Sequence, residues 1–422
     1  MAQAADRRAV HSAVRHAHVV GAGLAGLSSA IELVERGWSV TLHEAGPAAG
    51  GRCRSYFDKA LGCRIDNGNH LLLSGNDAAM AYLHRIGARD SLHGPARPVF
   101  PFMDLATGER WEVAPGTGPI PWWVLNPKYR VPGTKLSDYF SLAKLRRDGT
   151  VSEALGRTKL YDRLLEPLAI SALNTMPDEA SSRLMWAVVS GSLLRGGRAC
   201  VPLVPREGLS ESFIDPAIAW LEDRGAVLHT GQRLSRIQTD GSAVIALHLT
   251  SGIVPIGPND AVVLAVPAWV AGDLLPDLLV PTAFEAILNV HFRIDADPGE
   301  AGFIGLVGGL SEWVFVKPGI VSVTISAANR FQQIATDEVA ERCWEEVCQA
   351  LHLSGEMPNV RVIRERRATF TATNAVDAIR PGADIGMKSL SLAGDWTATG
   401  LPATIEGAIT SGVTAAQHLA AT

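Results

Sequence analysis

The amino-acid sequence predicts an α/β protein whose N-terminal part is a Rossmann-type dinucleotide-binding unit, and three observations predict it. A short strand, Ala17–Val20, runs into Gly21-Ala-Gly23-Leu-Ala-Gly26, and the stretch from there to Arg36 carries a helical pattern. A second strand, Trp38–His43, ends on an acid, Glu44, 18 residues past Gly26. Val262–Val266 is an unbroken apolar run of the length of a fully buried strand. In this setting the first glycine makes the tight turn and the second lets the backbone approach a pyrophosphate. The third lets helix and strand pack closely, with the helix N-terminus facing the negative charge. Glu44 then stands where a carboxylate accepts hydrogen bonds from an adenosine ribose.

The remaining elements follow in order. From Ala78 to about Arg198 the pattern reads as mostly helical, interrupted by a Pro- and Trp-rich insert at Pro115–Pro132. Between Val227 and Thr250 the period falls toward two, with breaks at Asp240-Gly241 and Ser251-Gly252, as in hairpins. A strand at Val321–Ile325, a helix over Asp337–Leu351, a strand at Ser389–Ala393 and a helix from about Pro402 to Ala420 complete the chain. These elements predict a discontinuous dinucleotide domain from residues 17–75, 200–280 and 357–422. A second, mixed α/β substrate domain takes 76–199 and 281–356, and residues 1–16 form a flexible tail.

Composition excludes several classes. A length of 422 residues suggests about two domains. With 47% hydrophobic and 19% charged residues, the chain is not intrinsically disordered. A net charge of −5 provides no basic field for nucleic acid. The most apolar stretch, Ala261–Pro281, is broken by Pro267, Asp273, Pro276 and Asp277, so no transmembrane helix is expected. Arg7-Arg8 has no apolar segment after it before the first strand, so no leader is predicted. Five cysteines without a Cys-x-x-Cys pair predict reduced thiols, a cytoplasmic protein and no metal site.

Two further blocks bear on which dinucleotide is bound. Gly50-Gly51-Arg52-Cys53-Arg54-Ser55 allows another close backbone approach and offers a guanidinium fork to a phosphate. Leu392-Ala-Gly394-Asp395-Trp396, followed by Gly400-Leu-Pro402-Ala-Thr404-Ile405-Glu406-Gly407-Ala408, offers a carboxylate for ribityl hydroxyls and a helix N-terminus for a reduced flavin. Together with the fingerprint, these blocks resemble the FAD-binding motifs of the flavin amine oxidase and phytoene desaturase superfamily. The resemblance implies a glutathione-reductase-like, discontinuous FAD domain. It implies FAD contacts at Gly21, Gly23, Leu24, Ala25, Gly26, Glu44, Ala45, Gly51, Arg52, Gly68, Asn69, His70, Leu234, Val266, Gly394, Asp395, Ala403, Thr404 and Ile405. A nicotinamide-only enzyme would not need the C-terminal block. No cysteine follows Cys348, so a C-terminal thioether to flavin is impossible and noncovalent FAD is expected.

Asp66-Asn67-Gly68-Asn69-His70, Ala172-Leu-Asn174-Thr-Met-Pro177-Asp-Glu-Ala180-Ser181 and Val204-Pro205-Arg206-Glu207-Gly208-Leu209-Ser210 narrow the resemblance. With the C-terminal block they make the chain similar to the hydroxysqualene dehydroxylase family, with Asn69 where that family carries Gln. The family implies reductive loss of an allylic hydroxyl from a long apolar isoprenoid in squalene and hopanoid synthesis. That chemistry needs an apolar tunnel, a hydride from flavin, and help for the departing hydroxyl. His70 is the candidate acid or hydrogen-bond donor, since imidazole titrates near neutrality. The alternative is that it only contacts the flavin or a buried carbonyl. Asp66 reads as a turn former, Glu406 as a dipole-complementing residue, and Arg195 and Arg198 as a solvated loop. A carotenoid-type desaturase running electrons the other way shares the same features. Amine oxidation and a non-redox prenyl-lipid escort fit the residues less well. With one GxGxxG in the chain, NAD(P)H as reductant would bind only transiently, or another reductant serves.

An isoprenoid substrate suggests membrane contact. Pro119-Ile-Pro-Trp122-Trp123-Val-Leu125 is apolar, and Lys128, Arg130, Lys135, Lys144, Arg146 and Arg147 follow, opposed only by Asp138. The expectation is a peripheral anchor at the inner face of a bacterial membrane, or else two core tryptophans under a solvated basic surface. Upstream squalene-pathway enzymes are the expected protein partners.

Overall fold

The computed structural model describes residues 15–118 and 122–421. Most of the expected tail, and Pro119–Pro121 of the apolar insert, lie outside the described residues. The core of the first unit is a five-stranded parallel sheet in the order Val227–His229, Ser39–His43, His16–Val20, Asp260–Leu264, Leu390–Leu392. The fingerprint helix, Leu24–Glu35, and the C-terminal helix, Ile405–Ala421, pack on each other against it. Gly412 is their contact point, for a β-carbon there would lie 2.1 Å from the Ala25 carbonyl oxygen. The predicted hairpins form a three-stranded antiparallel sheet, Leu234–Thr239, Val244–Leu249 and Gly252–Pro255. The Asp240 carboxylate closes its first turn by accepting from the Ser242 and Ala243 amides. Across the parallel strands runs a column of four histidines, His16, His18, His43 and His229, with successive ring centroids 4.5, 5.6 and 6.0 Å apart.

The second unit is built on a seven-stranded sheet in the order Val360–Phe370, Phe284–Phe292, Ile320–Ile325, Trp313–Lys317, Phe303–Val307, Phe100–Asp104, Arg110–Val113. Three of these strands correct the sequence reading. Phe100–Asp104 and Arg110–Val113 form a hairpin inside a stretch that reads as helical. They do so because the first joins Phe303–Val307 in parallel, a long-range pairing that overrides local pattern. Val360–Phe370, expected in the dinucleotide domain from residue 357, instead pairs along Phe284–Phe292 as an edge of this sheet.

The two faces of the seven-stranded sheet differ. Leu288, Val290, Phe292, Val314 and Val323 are buried on one face with Val339, Cys343, Trp344 and Val347 of the Thr336–Leu351 helix. The opposite face carries Asn289, His291, Ser322, Thr324 and Lys317 at its centre. Beside them Phe102, Phe303, Trp313 and Phe315 form a contiguous aromatic layer. Buried polar side chains are costly unless partnered, so a polar patch on a buried sheet face marks a place where something else is held. Of the tryptophan pair, Trp122 is 64% exposed while Trp123 is 9% exposed. Trp123 therefore packs inside and does not serve as an anchor. No helix among the described residues is long and apolar enough to cross a membrane.

Candidate active site

The three fingerprint glycines do different work. A β-carbon at Gly21 would lie 2.4 Å from the Ala265 oxygen, and one at Gly26 would lie 1.9 Å from the Gly21 oxygen. Both are required by the protein's own packing. Gly23 has nothing within 4 Å of its missing β-carbon, so the fold itself does not demand glycine there. The space it leaves adjoins the start of the Leu24–Glu35 helix, whose N-cap carries no side-chain hydrogen bond. The amides of Leu24, Ala25 and Gly26 are therefore available to an anion, as a dinucleotide diphosphate requires. The Gly50 amide donates to the Ala22 oxygen at 2.8 Å, holding Gly50-Gly51-Arg52 against this turn. Gly51, at φ +57°, faces Gly23.

Glu44 anchors the same turn: its carboxylate accepts from the Ala22 amide at 2.8 Å and the Gly46 amide at 2.7 Å. Two of its lone-pair sites remain for a ligand, and Ala45 beside it is exposed. The Gln232 amide donates to the Glu44 carbonyl, which brings the start of the Leu234–Thr239 strand alongside, with the Leu234 side chain itself buried.

The C-terminal block arrives at the same end of the parallel sheet. Thr404 caps the Ile405–Ala421 helix by accepting from the Gly407 amide at 3.1 Å, and Ala403 precedes it half-buried. The Gly394 amide donates to Ser411 Oγ, and Trp396 Nε1 donates to the Val266 oxygen at 2.8 Å, so Val266 and Gly394-Asp395-Trp396 are one unit. Arg52 and Asp395, expected at separate parts of the cofactor, are joined here: Arg52 Nη2 donates to Asp395 Oδ1 at 2.7 Å, and Nη1 to the Ala368 oxygen. Arg380, which sequence reasoning missed, braces this turn. Its buried guanidinium donates to the carbonyl oxygens of Asp395, Trp396 and Thr397 and lies 4.6 Å over the Phe370 ring.

Asp66–His70 lies against the polar face of the seven-stranded sheet. Asp66 pairs with Lys317 at 2.6 Å and accepts from Ser55 Oγ and the Leu209 amide, which draws in the Val204–Ser210 block. Burial pushes the Asp66 carboxyl up, but Lys317 together with the hydrogen bonds from Ser55 and Leu209 outweighs it and holds the carboxyl below its usual range. Asn289 is a second residue with no motif to announce it. It donates to the Asn67 oxygen, accepts from Thr324 Oγ1 at 3.0 Å and from the Asn69 amide, and stands where a Gly68 side chain would go. Asn69 Nδ2 donates to Thr324 Oγ1 at 3.0 Å, closing the clamp. His291 Nδ1 bonds Ser322 Oγ at 2.7 Å while its buried Nε2 has no partner.

His70 Nδ1 lies 3.1 Å from the Gly68 oxygen, which can only accept, so Nδ1 carries the proton and Nε2 is left for another group. Burial lowers the His70 pKa, so the neutral imidazole dominates at pH 7. Three residues take structural places. Glu406 caps the neighbouring Asp77–Arg85 helix, accepting from the Ala78 and Ala79 amides at 2.9 Å. Asn174, at φ 47°, ties Thr369 to Ala327. Arg195 pairs at the surface with Asp77. Among the described residues no cluster of three metal-ligating side chains occurs.

The model of the flavin containing amine oxidoreductase family matches residues 24–294 and 305–420. The chain is 46% identical to hydroxysqualene dehydroxylase of Sinorhizobium fredii, over 95% of this chain and 97% of that one. It is also 46% identical to hydroxysqualene dehydroxylase of Rhodopseudomonas palustris, over 94% and 97%. Among solved structures, an oxidoreductase from Methanosarcina mazei superposes with a TM-score of 0.70 at 18% identity, covering 94% of this chain and 98% of that one. The chain belongs to the flavin containing amine oxidoreductase family, and within it to the hydroxysqualene dehydroxylases.

Proposed function

We propose that this protein binds FAD noncovalently and converts hydroxysqualene to squalene by reductive dehydroxylation. The observation that carries the reading is 46% identity to the S. fredii enzyme over 95% of the chain. The room at Gly23, where the protein's own packing needs no glycine, supports FAD as the cofactor. Leu24, Ala25 and Gly26 bind its diphosphate through their amides, and Glu44 and Ala45 take the ribose, with Leu234 and Val266 on the adenine side. Gly51, Arg52, Gly68, Asn69, Gly394, Asp395, Ala403, Thr404 and Ile405 hold the rest. The reduced flavin, when bound, would supply the hydride that replaces the hydroxyl, its electrons coming from NAD(P)H docking transiently or from another reductant.

The chain's residues handle the substrate and the proton. The aromatic layer of Phe102, Phe303, Trp313 and Phe315 belongs to the same apolar cluster as Trp396, and excludes water from an isoprenoid chain. His70, with Nδ1 tied to Gly68, acts through Nε2: protonated, it donates to the hydroxyl oxygen and eases its departure as water. Because burial lowers its pKa, the protonated fraction grows as pH falls, and the rate should rise in that direction. His70→Ala should keep FAD, slow turnover and lose that pH dependence. Unchanged single-turnover kinetics in the variant would remove His70 from the mechanism.

An anaerobic single turnover tests the function itself. The bound flavin is reduced photochemically, hydroxysqualene is added, and the product is identified by mass spectrometry. Flavin reoxidation with squalene formed is expected. No reoxidation with substrate demonstrably bound would overturn the reading.

A further inference from the structure

We infer that the lobe spanning residues 122–147 docks on an anionic phospholipid bilayer, an inference that rests on the isoprenoid substrate proposed above. Trp122, Leu125, Tyr129 and Phe140 are 64, 51, 53 and 71% exposed. They fall within 19 residues, and among the described residues the other exposed aromatic of this class is Phe57. The lobe beneath them is well held. Trp123 packs edge-to-face on Tyr139 with ring centroids 5.6 Å apart, and the Tyr139 hydroxyl accepts from the Val131 amide at 3.0 Å. Arg130 donates to the carbonyl oxygens of Val124 and Leu125. The exposed rings therefore sit on an ordered base.

Charge selects the occupant. Lys128, Lys135, Lys144, Arg146 and Arg147 are exposed on the same lobe. Asp138 is the one acid between residues 122 and 147, and its carboxylate is engaged by the Lys135 amide at 2.8 Å. The chain as a whole carries −5, so the lobe's charge opposes that of the molecule. Tryptophan and tyrosine rings flanked by lysine and arginine suit the headgroup zone of a membrane, where apolar bodies and charged tips are both accommodated. Two copies meeting through this face would bring like charges together, which disfavours self-association. The lobe is thus placed to collect a substrate that partitions into lipid.

Flotation of the FAD-loaded enzyme with phosphatidylcholine vesicles, with and without phosphatidylglycerol, tests the inference. The wild type should float with the anionic vesicles and lose binding as salt rises. Neutralising Lys144 and Arg147 (Lys144→Gln with Arg147→Gln) should weaken partitioning about 25-fold, at about 5-fold per cation removed. Trp122→Ser with Phe140→Ser should stay unbound, yet should still turn over hydroxysqualene presented in detergent micelles. Wild type that fails to float, or a Lys144/Arg147 variant that partitions like wild type, overturns the proposal. A concentration-dependent doubling of mass abolished by Trp122→Ser with Phe140→Ser also overturns it, since it assigns the face to a second copy. If wild type floats but leaves hydroxysqualene unchanged in micelles, the substrate reading fails while the docking surface stands.

Discussion

The histidine column should make the protein acid-labile by an amount that can be worked out. Burial first, and neighbouring imidazoles second, lower the pKa of His18 and His43 from 6.5 to about 4. Asp260 opposes the shift at His18 without reversing it. The unfolded chain takes up a proton on each ring near pH 6.5, whereas the folded chain does so only near pH 4. The stability that goes with the neutral rings is thus complete above pH 6.5 and is lost as pH falls toward 4. At pH 5 the loss is about 2 kcal/mol per ring, or about 4 kcal/mol if the two titrate independently. His18 Nδ1 and His43 Nε2 lie 3.3 Å apart, and His43→Gln keeps an amide at that contact while removing one titration. The variant should therefore lose about 2 kcal/mol less stability than wild type between about pH 7.5 and about pH 5. Urea unfolding followed by tryptophan fluorescence at both pH values measures this. An identical pH-dependent loss in both proteins would refute the reasoning.

Gly26→Ala puts a methyl group 1.9 Å from the Gly21 oxygen and should cost about 1–3 kcal/mol or block folding. Gly23→Ala should leave the apoprotein's melting temperature unchanged yet lower flavin absorbance per mole of protein. Asn289→Ala removes the acceptor of the Thr324 hydroxyl and of the Asn69 backbone amide. It should cost about 1–3 kcal/mol in unfolding measurements and depress turnover more than FAD affinity. Glu406→Gln weakens the charge-assisted cap of the Asp77–Arg85 helix and should destabilise by about 1 kcal/mol in thermal melts.

The fingerprint was legible because its logic is local: a strand, a turn and a helix within 20 residues set the roles of Gly21 and Gly26, and Glu44 lies one strand further on. What was not legible depends on partners far along the chain. Arg52 and Asp395 each read as a polar group beside a cofactor, but their pairing spans 343 residues. Val360–Phe370 alternates only over its first three residues before a run of charged ones, and nothing in that pattern says which sheet it joins. Phe100–Asp104 holds a proline and an apolar cluster that suits helix or strand, and its parallel neighbour at Phe303–Val307 decides the matter. Asn289 sits mid-strand without a motif, and Arg380, beside a proline, looks like a loop arginine although its side chain is wholly buried. Both serve the site through carbonyl oxygens and amides, which a residue pattern does not reveal.

The contact between the first helix and the last has a consequence in time. Ser28 Oγ donates to the Ile409 oxygen across 381 residues of chain, and Gly412 meets Ala25 beside it. During synthesis at ~5–20 residues per second, the Leu24–Glu35 helix waits roughly 20 to 80 s for that partner. Through that interval its apolar flank is uncovered and its turn is unsupported from the C-terminal side. The fingerprint turn is therefore supported from the side of the Ile405–Ala421 helix only once that helix has been made.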